Sequence, residues 1–378
     1  MKIQPFDIEI WMNEFENHCA YNLAETCVAS LTIEQLLSLS GTKETLLPDL
    51  LPMKLTYGAI EGSERLRNSI CQLYSNQQLE NIIITHGAIG GNSLVYQTLV
   101  RPGDHVISLV PTYQQHYSIP ESLGADVDIL ALHPENDFLP DLDELRQLMR
   151  ADTRLIAITN PNNPTGALID EAMLKQIVEI ARQAGAYILC DEVYRGTDQL
   201  GDGITASIAD LYEKGIATNS MSKAFSLAGL RLGWIAAAQS FIGEISIHRD
   251  YNTISVSMID DYFACLAMEA KDKILERSRQ ITRGNLQILD DWVTSQAHIS
   301  YVKPKSGTTA LLKYDLDLPS RDFCVQLLEE TGVLLTPGST MDMEGWVRIG
   351  YANDPEILNE GLDKVSTFLD STTIGANA

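Results

Sequence analysis

The stretch Asn219-Ser220-Met221-Ser222-Lys223-Ala224-Phe225-Ser226 follows a short run, Ile216-Ala217-Thr218, that is typical of a strand. A lysine in a turn of small residues is accessible, and such a lysine can form a Schiff base with a carbonyl cofactor. Burial would lower the pKa of Lys223 and supply the free amine. Suitable phosphate donors in and after this stretch are Ser220, Ser222 and Arg231. A solvated surface lysine is the alternative that this stretch alone leaves open.

Strand-like and helix-like segments alternate on both sides of this lysine. The pattern predicts an α/β protein whose large domain has a mostly parallel seven-stranded sheet covered by helices, with a smaller α+β domain. Ligands of such sheets bind at the carboxyl ends of the strands, so functional residues are expected there. The predicted strands are residues 82–85, 106–109, 127–132, 155–159, 187–190, 216–218 and 233–237.

The chain divides into three predicted segments. Residues 1–45 form an arm that joins the small domain, residues 46–255 form the large domain, and residues 256–378 form the small domain with a long linking helix at 255–293. Residues 371–378 are small and polar and are expected to fray. The arm should dock through a helical face formed by Ile8, Trp11, Met12 and Phe15.

Composition excludes several classes of function. The 378 residues carry a formal net charge of −24, which disfavours nucleic acid and anionic membrane surfaces as partners. The six cysteines show no zinc spacing, so no metal site is predicted and free buried thiols are expected. The start of the chain is not typical of a signal peptide, and a cytoplasmic protein is predicted.

Two strand ends carry residues suited to an aromatic cofactor. The first runs into Asn160-Pro161-Asn162-Asn163-Pro164-Thr165-Gly166, where the Asn163 amide can donate to a phenolate oxygen; a plain Pro/Gly turn is the alternative. The second delivers Asp191, and a buried carboxylate is costly unless it is paired. A protonated pyridine nitrogen would be such a partner and would keep the ring an electron sink. Tyr194 could donate to the same phenolate. Helix capping by Asp191 is the alternative.

Three further positions complete the pattern. The turn Gly87-Ala88-Ile89, before a helix predicted from about residue 93, could bind phosphate through free amides, although it lacks a nucleotide-binding signature. Tyr113 could stack on a cofactor ring or simply pack. Arg348 lies in an apolar strand, where its planar fork suits a substrate carboxylate or a structural ion pair.

The order of these residues resembles that of the fold-type I pyridoxal-phosphate enzymes, class I/II aminotransferases in particular. The resemblance runs from about residue 56 to residue 369 and rests mainly on the N-P-N-N-P-T-G and S-x-S-K-x-x-x-x-x-G-x-R motifs. It implies pyridoxal 5'-phosphate as cofactor, an amino acid substrate and a homodimer with sites at the interface.

The resemblance also implies a role for each residue. Lys223 carries the internal aldimine and shuttles protons, Asp191 pairs with the pyridine nitrogen, and Arg348 binds the substrate α-carboxylate. Asn163 and Tyr194 meet the phenolate. The remaining cofactor contacts are Tyr113 on the ring and, at the phosphate, Ala88, Ile89, Ser220, Ser222, Arg231 and the partner subunit's Tyr57.

The chain is also similar to a subgroup that acts on arginine and includes capreomycidine synthase and oxygen-dependent arginine oxidases. Residues 99–104 and 134–142 carry this similarity. It implies substrate-binding residues in the arm, namely Glu16, Glu25 and Thr26, with Asp198 as a further carboxylate for a guanidinium group.

The arm departs from ordinary aminotransferases, which have a glycine segment where Glu25-Thr26-Cys27 stands. It also lacks the histidine of related arginine hydroxylases. The expected reaction is therefore oxidation of arginine by dioxygen through a quinonoid carbanion, giving dehydroarginine and hydrogen peroxide. The alternatives are a transaminase that uses a 2-oxo acid, a capreomycidine-synthase-like cyclase, and a non-enzymatic cofactor-sensing regulator, for whose DNA-binding domain this acidic chain has no room.

Overall fold

A computed structural model describes residues 2–376 of the chain. Several helices begin after a polar residue whose side chain caps the first turn. Asp170, for example, accepts a hydrogen bond from the Met173 amide and caps the helix that follows. In chain order the helices are α1 Asp7–Phe15, α2 Ile33–Ser40, α3 Leu46–Leu50, α4 Glu64–Cys71, α5 Gly87–Leu99, α6 Gln115–Ser122, α7 Leu142–Leu148, α8 Glu171–Ala184, α9 Ile208–Leu211, α10 Gln239–Asp250, α11 Met258–Glu269, α12 Lys271–Ser295, α13 Ser320–Thr331 and α14 Pro355–Ala376.

The strands form one large sheet, one smaller sheet and one short pair. In chain order they are β1 Tyr21–Asn22, β2 Ile82–Thr85, β3 His105–Val110, β4 Asp126–Ala131, β5 Thr153–Thr159, β6 Tyr187–Asp191, β7 Gly215–Ser220, β8 Gly233–Ala236, β9 Ile299–Tyr301, β10 Thr309–Tyr314, β11 Val333–Leu334, β12 Thr336–Pro337 and β13 Trp346–Gly350.

The large sheet has seven strands in the order β2-β8-β7-β6-β5-β3-β4. All neighbouring strands are parallel except β8, which runs antiparallel to β2 and β7. The prediction of a mostly parallel, helix-covered sheet is therefore confirmed. Its central strands are almost wholly buried, as expected for a sheet with helices on both faces.

The register of the parallel strands brings their carboxyl ends together. Thr159 on β5 pairs with Asp191 on β6, which in turn pairs with Thr218 on β7. Each strand then turns into a loop at the same edge of the sheet. The polar residues that follow these strands in sequence consequently meet in space.

The smaller sheet has the order β12-β13-β10-β9 and is antiparallel, so the prediction of a second, α+β unit is also confirmed. The N-terminal arm packs against this unit. Strand β1 pairs with β11, and Trp11 of α1 is fully buried in the smaller core with its indole N–H donating to the Leu335 carbonyl at 3.0 Å.

Two local predictions were wrong. Helix α5 begins at Gly87 rather than near residue 93, so most of the predicted glycine-rich turn is helical. The long helix predicted for residues 255–293 is two helices, α11 and α12, because Ala270 leaves the helical conformation. Helix α14 extends as far as Ala376, the fraying expected from Ser371 stays a prediction, and residues 377–378 lie outside the described part of the chain.

The division at residues 45/46 and 255/256 stays a prediction. All six cysteines are free, and four of them, Cys27, Cys190, Cys265 and Cys324, are buried. Of the helices in residues 2–376, none combines the length and the apolar character that a membrane crossing requires.

Candidate active site

The carboxyl ends of the parallel strands open onto a cavity of about 430 Å³. Residues from β13 and from the N-terminal arm complete its wall. All the predicted site residues except Tyr57 and Asp198 line this cavity: Lys223, Asp191, Tyr194, Ala88, Ile89, Tyr113, Asn163, Ser220, Ser222, Arg231, Arg348, Glu16, Glu25 and Thr26.

One end of the cavity is suited to a phosphate group. Gly233 on β8 lies so close to the start of α5 that a Cβ would stand 2.5 Å from the Gly87 carbonyl carbon and 2.6 Å from the Ala88 amide nitrogen. The first amides of α5 are thereby held at the cavity, and the N-terminus of a helix attracts anions. Arg231 adds a guanidinium whose Nη1 lies 3.4 Å from the hydroxyl oxygen of Ser222.

Asp191 is the last residue of β6 and is only 5% exposed. Its Oδ2 accepts a hydrogen bond from the Asn92 side chain at 2.8 Å, and its Oδ1 accepts one from the Val193 amide at 3.2 Å. The next helix begins only at Ile208, so Asp191 does not cap a helix. A buried carboxylate facing the cavity is suited to a cationic ring nitrogen.

Lys223 lines the cavity and contacts the N-terminal arm. Its ammonium nitrogen donates to the Thr26 hydroxyl at 2.5 Å and lies 3.6 Å from the Cys27 sulfur. Burial lowers the pKa of Lys223, but Cys27, Tyr194 and Glu25 together raise it above the ordinary lysine value. The prediction that burial leaves a free amine is therefore wrong for the protein on its own.

Two buried polar atoms at the cavity have no hydrogen-bond partner among residues 2–376: the Tyr194 hydroxyl and Arg348 Nε. Arg348 Nη1 donates to Asn163 Oδ1 at 3.3 Å, and Nη2 donates to the Thr336 hydroxyl at 3.2 Å. Asn163 therefore keeps its NH₂ group for another acceptor. No carboxylate forms an ion pair with Arg348 in the described part of the chain, so the alternative of a structural ion pair is wrong.

The N-terminal arm is held against this arginine. Arg348 Nη2 also donates to the Ala24 carbonyl at 3.3 Å, and the Gly350 amide donates to the Leu23 carbonyl at 2.7 Å. A Cβ at position 350 would collide with the Glu25 carbonyl, so only glycine permits this approach. The arm thus reaches the same cavity as β13.

Helix α1 contributes a carboxylate that the sequence analysis missed. Glu9 lines the cavity and accepts a hydrogen bond from the Tyr113 hydroxyl at 2.8 Å. Glu9 and Met12 on α1 and Glu16 directly after it all line the cavity and follow helical spacing. That spacing was the available signal for Glu9.

The arm carboxylates influence one another. Burial raises the pKa of Glu16, and the charges of Glu25 and Glu9 raise it further. Burial also raises the pKa of Glu25, but Lys223 and the hydrogen bonds from Thr26 and Cys27 lower it below its ordinary value. A cation placed among these carboxylates would relieve their repulsion.

Two predicted contacts lie outside the cavity. Asp198 is buried elsewhere, where its Oδ1 accepts a hydrogen bond from the Ser306 hydroxyl at 2.7 Å, so it is wrong as a guanidinium ligand in this cavity. Tyr57 is 76% exposed at the surface, and its predicted role in the cavity of a partner subunit stays a prediction.

The residues of the cavity fit pyridoxal 5'-phosphate. They offer an anion-binding end, a buried carboxylate for a ring nitrogen, a lysine amine, an aromatic ring at Tyr113, and the unpartnered hydroxyl of Tyr194 beside the Asn163 amide. Such a set defines a pyridoxal-phosphate enzyme of fold type I. Residues 52–365 match the model of the family "Aminotransferase class I and II", and the chain belongs to that family.

Similar proteins with known structure or function cover nearly all of the chain. The crystal structure of a pyridoxal-phosphate-dependent aminotransferase from Streptococcus suis superposes with a TM-score of 0.96 at 47% identity, covering 98% of this chain and 99% of that one. Capreomycidine synthase of Streptomyces vinaceus is 29% identical over 97% of this chain and 94% of its own length. An aspartate aminotransferase of Pyrococcus horikoshii is 30% identical over 82% of each chain.

Proposed function

We propose that this pyridoxal-phosphate enzyme oxidises L-arginine with dioxygen. The observation that carries the proposal is that the carboxylates of Glu9, Glu16 and Glu25 share one cavity with the unpaired Arg348. Arginine is complementary to such a cavity, because its α-carboxylate can meet Arg348 while its guanidinium meets the arm. The similarity to capreomycidine synthase along almost the whole chain is in keeping with this substrate class.

The arm carboxylates disfavour substrates that have an acidic side chain. A dicarboxylic substrate or acceptor would bring its second carboxylate close to Glu9 and Glu16, and like charges at short range repel. Aspartate, named as substrate of several relatives, therefore suits this cavity poorly. A cationic side chain would instead stabilise the charged form of Glu16, whose pKa is raised by burial and by the charges of Glu25 and Glu9.

Each polar residue of the cavity then has a task in binding or proton transfer. Pyridoxal phosphate, when bound, supplies an electron sink for the Cα substituents of the amino acid. Arg348 orients the α-carboxylate, and Asp191 holds the ring nitrogen. Lys223 moves the Cα proton, and the Thr26 hydroxyl, which accepts its hydrogen bond, aims its amine.

Dioxygen is the proposed acceptor because it is small and uncharged. Arginine gives up two hydrogens to form dehydroarginine, and dioxygen takes up two electrons and two protons to form hydrogen peroxide. Neither dioxygen nor hydrogen peroxide needs a second anion site beside the arm carboxylates. The apolar side chains of Ile8 and Met12, which line the same cavity, help to exclude water.

Transamination is the second candidate, and the similarity to the Streptococcus suis aminotransferase favours it. The arm carboxylates would then restrict the acceptor to a 2-oxo acid without a second carboxylate. A cyclisation of an arginine derivative is the third candidate, favoured by the similarity to capreomycidine synthase, and it needs neither dioxygen nor an acceptor acid.

An oxygen electrode separates these reactions. The holoenzyme is mixed in turn with arginine, its uncharged analogue citrulline, and aspartate, each with and without pyruvate. We expect oxygen uptake and peroxide with arginine alone. Turnover that requires pyruvate and consumes no oxygen would replace oxidation by transamination, and turnover of aspartate but not arginine would overturn the substrate as well.

The lysine has its own test. Lys223→Ala should lose the visible absorption of the lysine-bound cofactor, and borohydride reduction of the unaltered protein should attach the cofactor mass to the peptide that contains Lys223. Lys214→Ala is the control, because Lys214 is a lysine outside the cavity whose amine donates to the Gly185 carbonyl. An unchanged spectrum in Lys223→Ala would refute the assignment.

We also propose that the active protein is a homodimer. Leu51, Leu55, Tyr57 and Tyr251 are large side chains that are 76–93% exposed on the single chain. Exposed apolar groups of this size favour association, since burial removes their surface from water. In the dimer the Tyr57 hydroxyl would reach the phosphate end of the partner's cavity.

A further inference from the structure

Asn92 is a buried amide on α5 that none of the predicted roles uses. It is 1% exposed and lines the cavity beside Asp191. Its Nδ2 lies 2.8 Å from Asp191 Oδ2, which is a short hydrogen bond to a carboxylate. An amide buried this deeply is costly unless all its polar atoms find partners.

Its neighbours determine which way the Asn92 amide points. The Ile89 carbonyl oxygen can only accept a hydrogen bond, so the Gln115 atom that lies 2.8 Å from it is Nε2. The other amide atom of Gln115, Oε1, therefore faces Asn92. Asn92 Nδ2 donates to that Oε1 at 3.2 Å. The Thr218 hydroxyl donates to Asn92 Oδ1 at 2.6 Å. The NH₂ group therefore faces Asp191, and a flipped amide would lose these bonds.

A second side chain approaches the same carboxylate oxygen but does not replace Asn92. His116 Nε2 lies 3.7 Å from Asp191 Oδ2 and has no hydrogen-bond partner, while His116 Nδ1 is 2.8 Å from the Tyr96 hydroxyl. Among residues 2–376, Asn92 is thus the side chain whose donor lies within hydrogen-bonding distance of Asp191.

We infer that Asn92 is a positioning residue that sets the electron-withdrawing strength of the cofactor through Asp191. A donor to a carboxylate stabilises its negative charge, so the proton shared with a ring nitrogen lies on the nitrogen. The bond also holds one Asp191 oxygen in place, and the lone pairs that Asn92 and the Val193 amide do not use remain for the ring. The ring nitrogen is then met by an oriented Asp191 carboxylate.

The same bonds join the two ends of the cofactor site. Ile89 belongs to the amide end that fits phosphate, and Asp191 belongs to the end that fits the ring nitrogen; Gln115 and Asn92 connect them. The inference depends on the cofactor and not on the substrate, so it stands or falls independently of the arginine proposal.

The test compares Asn92→Leu with Thr98→Val in the holoenzyme. Thr98 lies on the same helix, is equally buried, and donates only within the helix to the Leu94 carbonyl, so it controls for packing of α5. The readouts are the dissociation constant of pyridoxal phosphate and the ¹⁵N chemical shift of its ring nitrogen in labelled cofactor. Circular dichroism checks that both variants are folded.

For Asn92→Leu we expect roughly tenfold to hundredfold weaker cofactor binding and a ring-nitrogen shift displaced toward the unprotonated value, with Thr98→Val unchanged. Asn92→Ser, which keeps a shorter donor, should recover part of both effects. A folded Asn92→Leu protein with unchanged affinity and unchanged ¹⁵N shift would overturn the inference. Should Asn92→Leu not fold, a folded Asn92→Ala protein, which also lacks the donor, with unchanged affinity and unchanged ¹⁵N shift would overturn it too.

Discussion

Arg348 shows how a single buried charge can indicate a substrate. The side chain is 2% exposed, burial lowers its pKa, and it makes only hydrogen bonds to neutral groups. A buried guanidinium without a carboxylate is costly, and an α-carboxylate would supply the missing charge. Nε, which has no partner, is available for a bidentate contact.

Arg348→Lys is therefore expected to raise KM for the amino acid and to lower kcat/KM roughly a hundredfold, because a lysine keeps the charge but loses the planar fork. The absorption of the bound cofactor should stay as it is. Steady-state kinetics measure the effect. The control is Arg154→Lys, which makes the same exchange at an exposed position outside the cavity. An unchanged KM would show that the carboxylate binds elsewhere.

Lys223 illustrates what a single residue's sequence context leaves out. Its place in a small-residue turn was evident from the chain, but its amine contacts Thr26 and Cys27, which are 197 and 196 positions away. The raised pKa of the Cys27 thiol, about 11, shows that burial acts on this neighbour as well. Contacts over such separations have no local pattern from which to be predicted.

Among the elements, β6 ends at Asp191 and is followed by Glu192, and the two acidic residues have different environments. Asp191 faces the cavity, whereas Glu192 points away from it and is 1% exposed. The Glu192 carboxylate accepts hydrogen bonds from the Ser207 hydroxyl and the Ile208 amide, both at 2.9 Å, at the start of α9. Burial outweighs these bonds and raises the pKa of Glu192 to about 7.

The raised pKa predicts a pH dependence of stability. A carboxyl group with a higher pKa in the folded than in the unfolded state contributes stability below its unfolded pKa of about 4.5 and loses it as the pH rises through about 7. Relative to Glu192→Gln, the free energy of unfolding of the unaltered protein should fall by roughly 3 kcal/mol between pH 4 and pH 8. Urea denaturation across this range checks it, and parallel pH curves for the two proteins would contradict it.

The position at which α5 begins explains why Asn92 was not predicted as a site residue. The strands and helices of the large sheet were predictable because each carries its own apolar pattern, and their ends were off by about one or two residues. Glycines near the start of α5 suggested a turn, which hid the helical spacing that places Asn92 one turn beyond Ala88. The residue that contacts Asp191 was consequently overlooked.

At the scale of the whole molecule, the proposed dimer gives the exposed Tyr57 a role. We expect the holoprotein to sediment as a dimer and Tyr57→Phe to bind pyridoxal phosphate roughly tenfold more weakly without dissociating, because only a hydroxyl donor to the phosphate is lost. Sedimentation and equilibrium dialysis measure the two quantities. A monomer with full cofactor affinity would contradict the role of the partner's tyrosine.

The fold class and most cofactor-binding positions of the cavity could be predicted, because motif order along the chain reports strand ends in this architecture. Glu9 could not be predicted, because α1 reaches the cavity only through packing of the arm on the smaller sheet, as Trp11 and Gly350 show. Asp198 was predicted wrongly, because its hydrogen bond with Ser306 joins residues 108 positions apart and has no local pattern.

Recognition of the arginine side chain by the arm carboxylates is tested most directly by the ratio of kcat/KM for arginine to kcat/KM for citrulline. Citrulline differs from arginine by the charge that these carboxylates are proposed to recognise. We expect a ratio of roughly a hundred or more, falling below about ten in Glu9→Gln/Glu16→Gln, since a charged contact is worth about 1.5–3 kcal/mol. Glu14→Gln/Glu34→Gln, which removes the same charge from exposed arm positions, should keep the ratio. A ratio near one in the unaltered protein would contradict recognition of the guanidinium by the arm carboxylates. A ratio that is unchanged in Glu9→Gln/Glu16→Gln would contradict it as well.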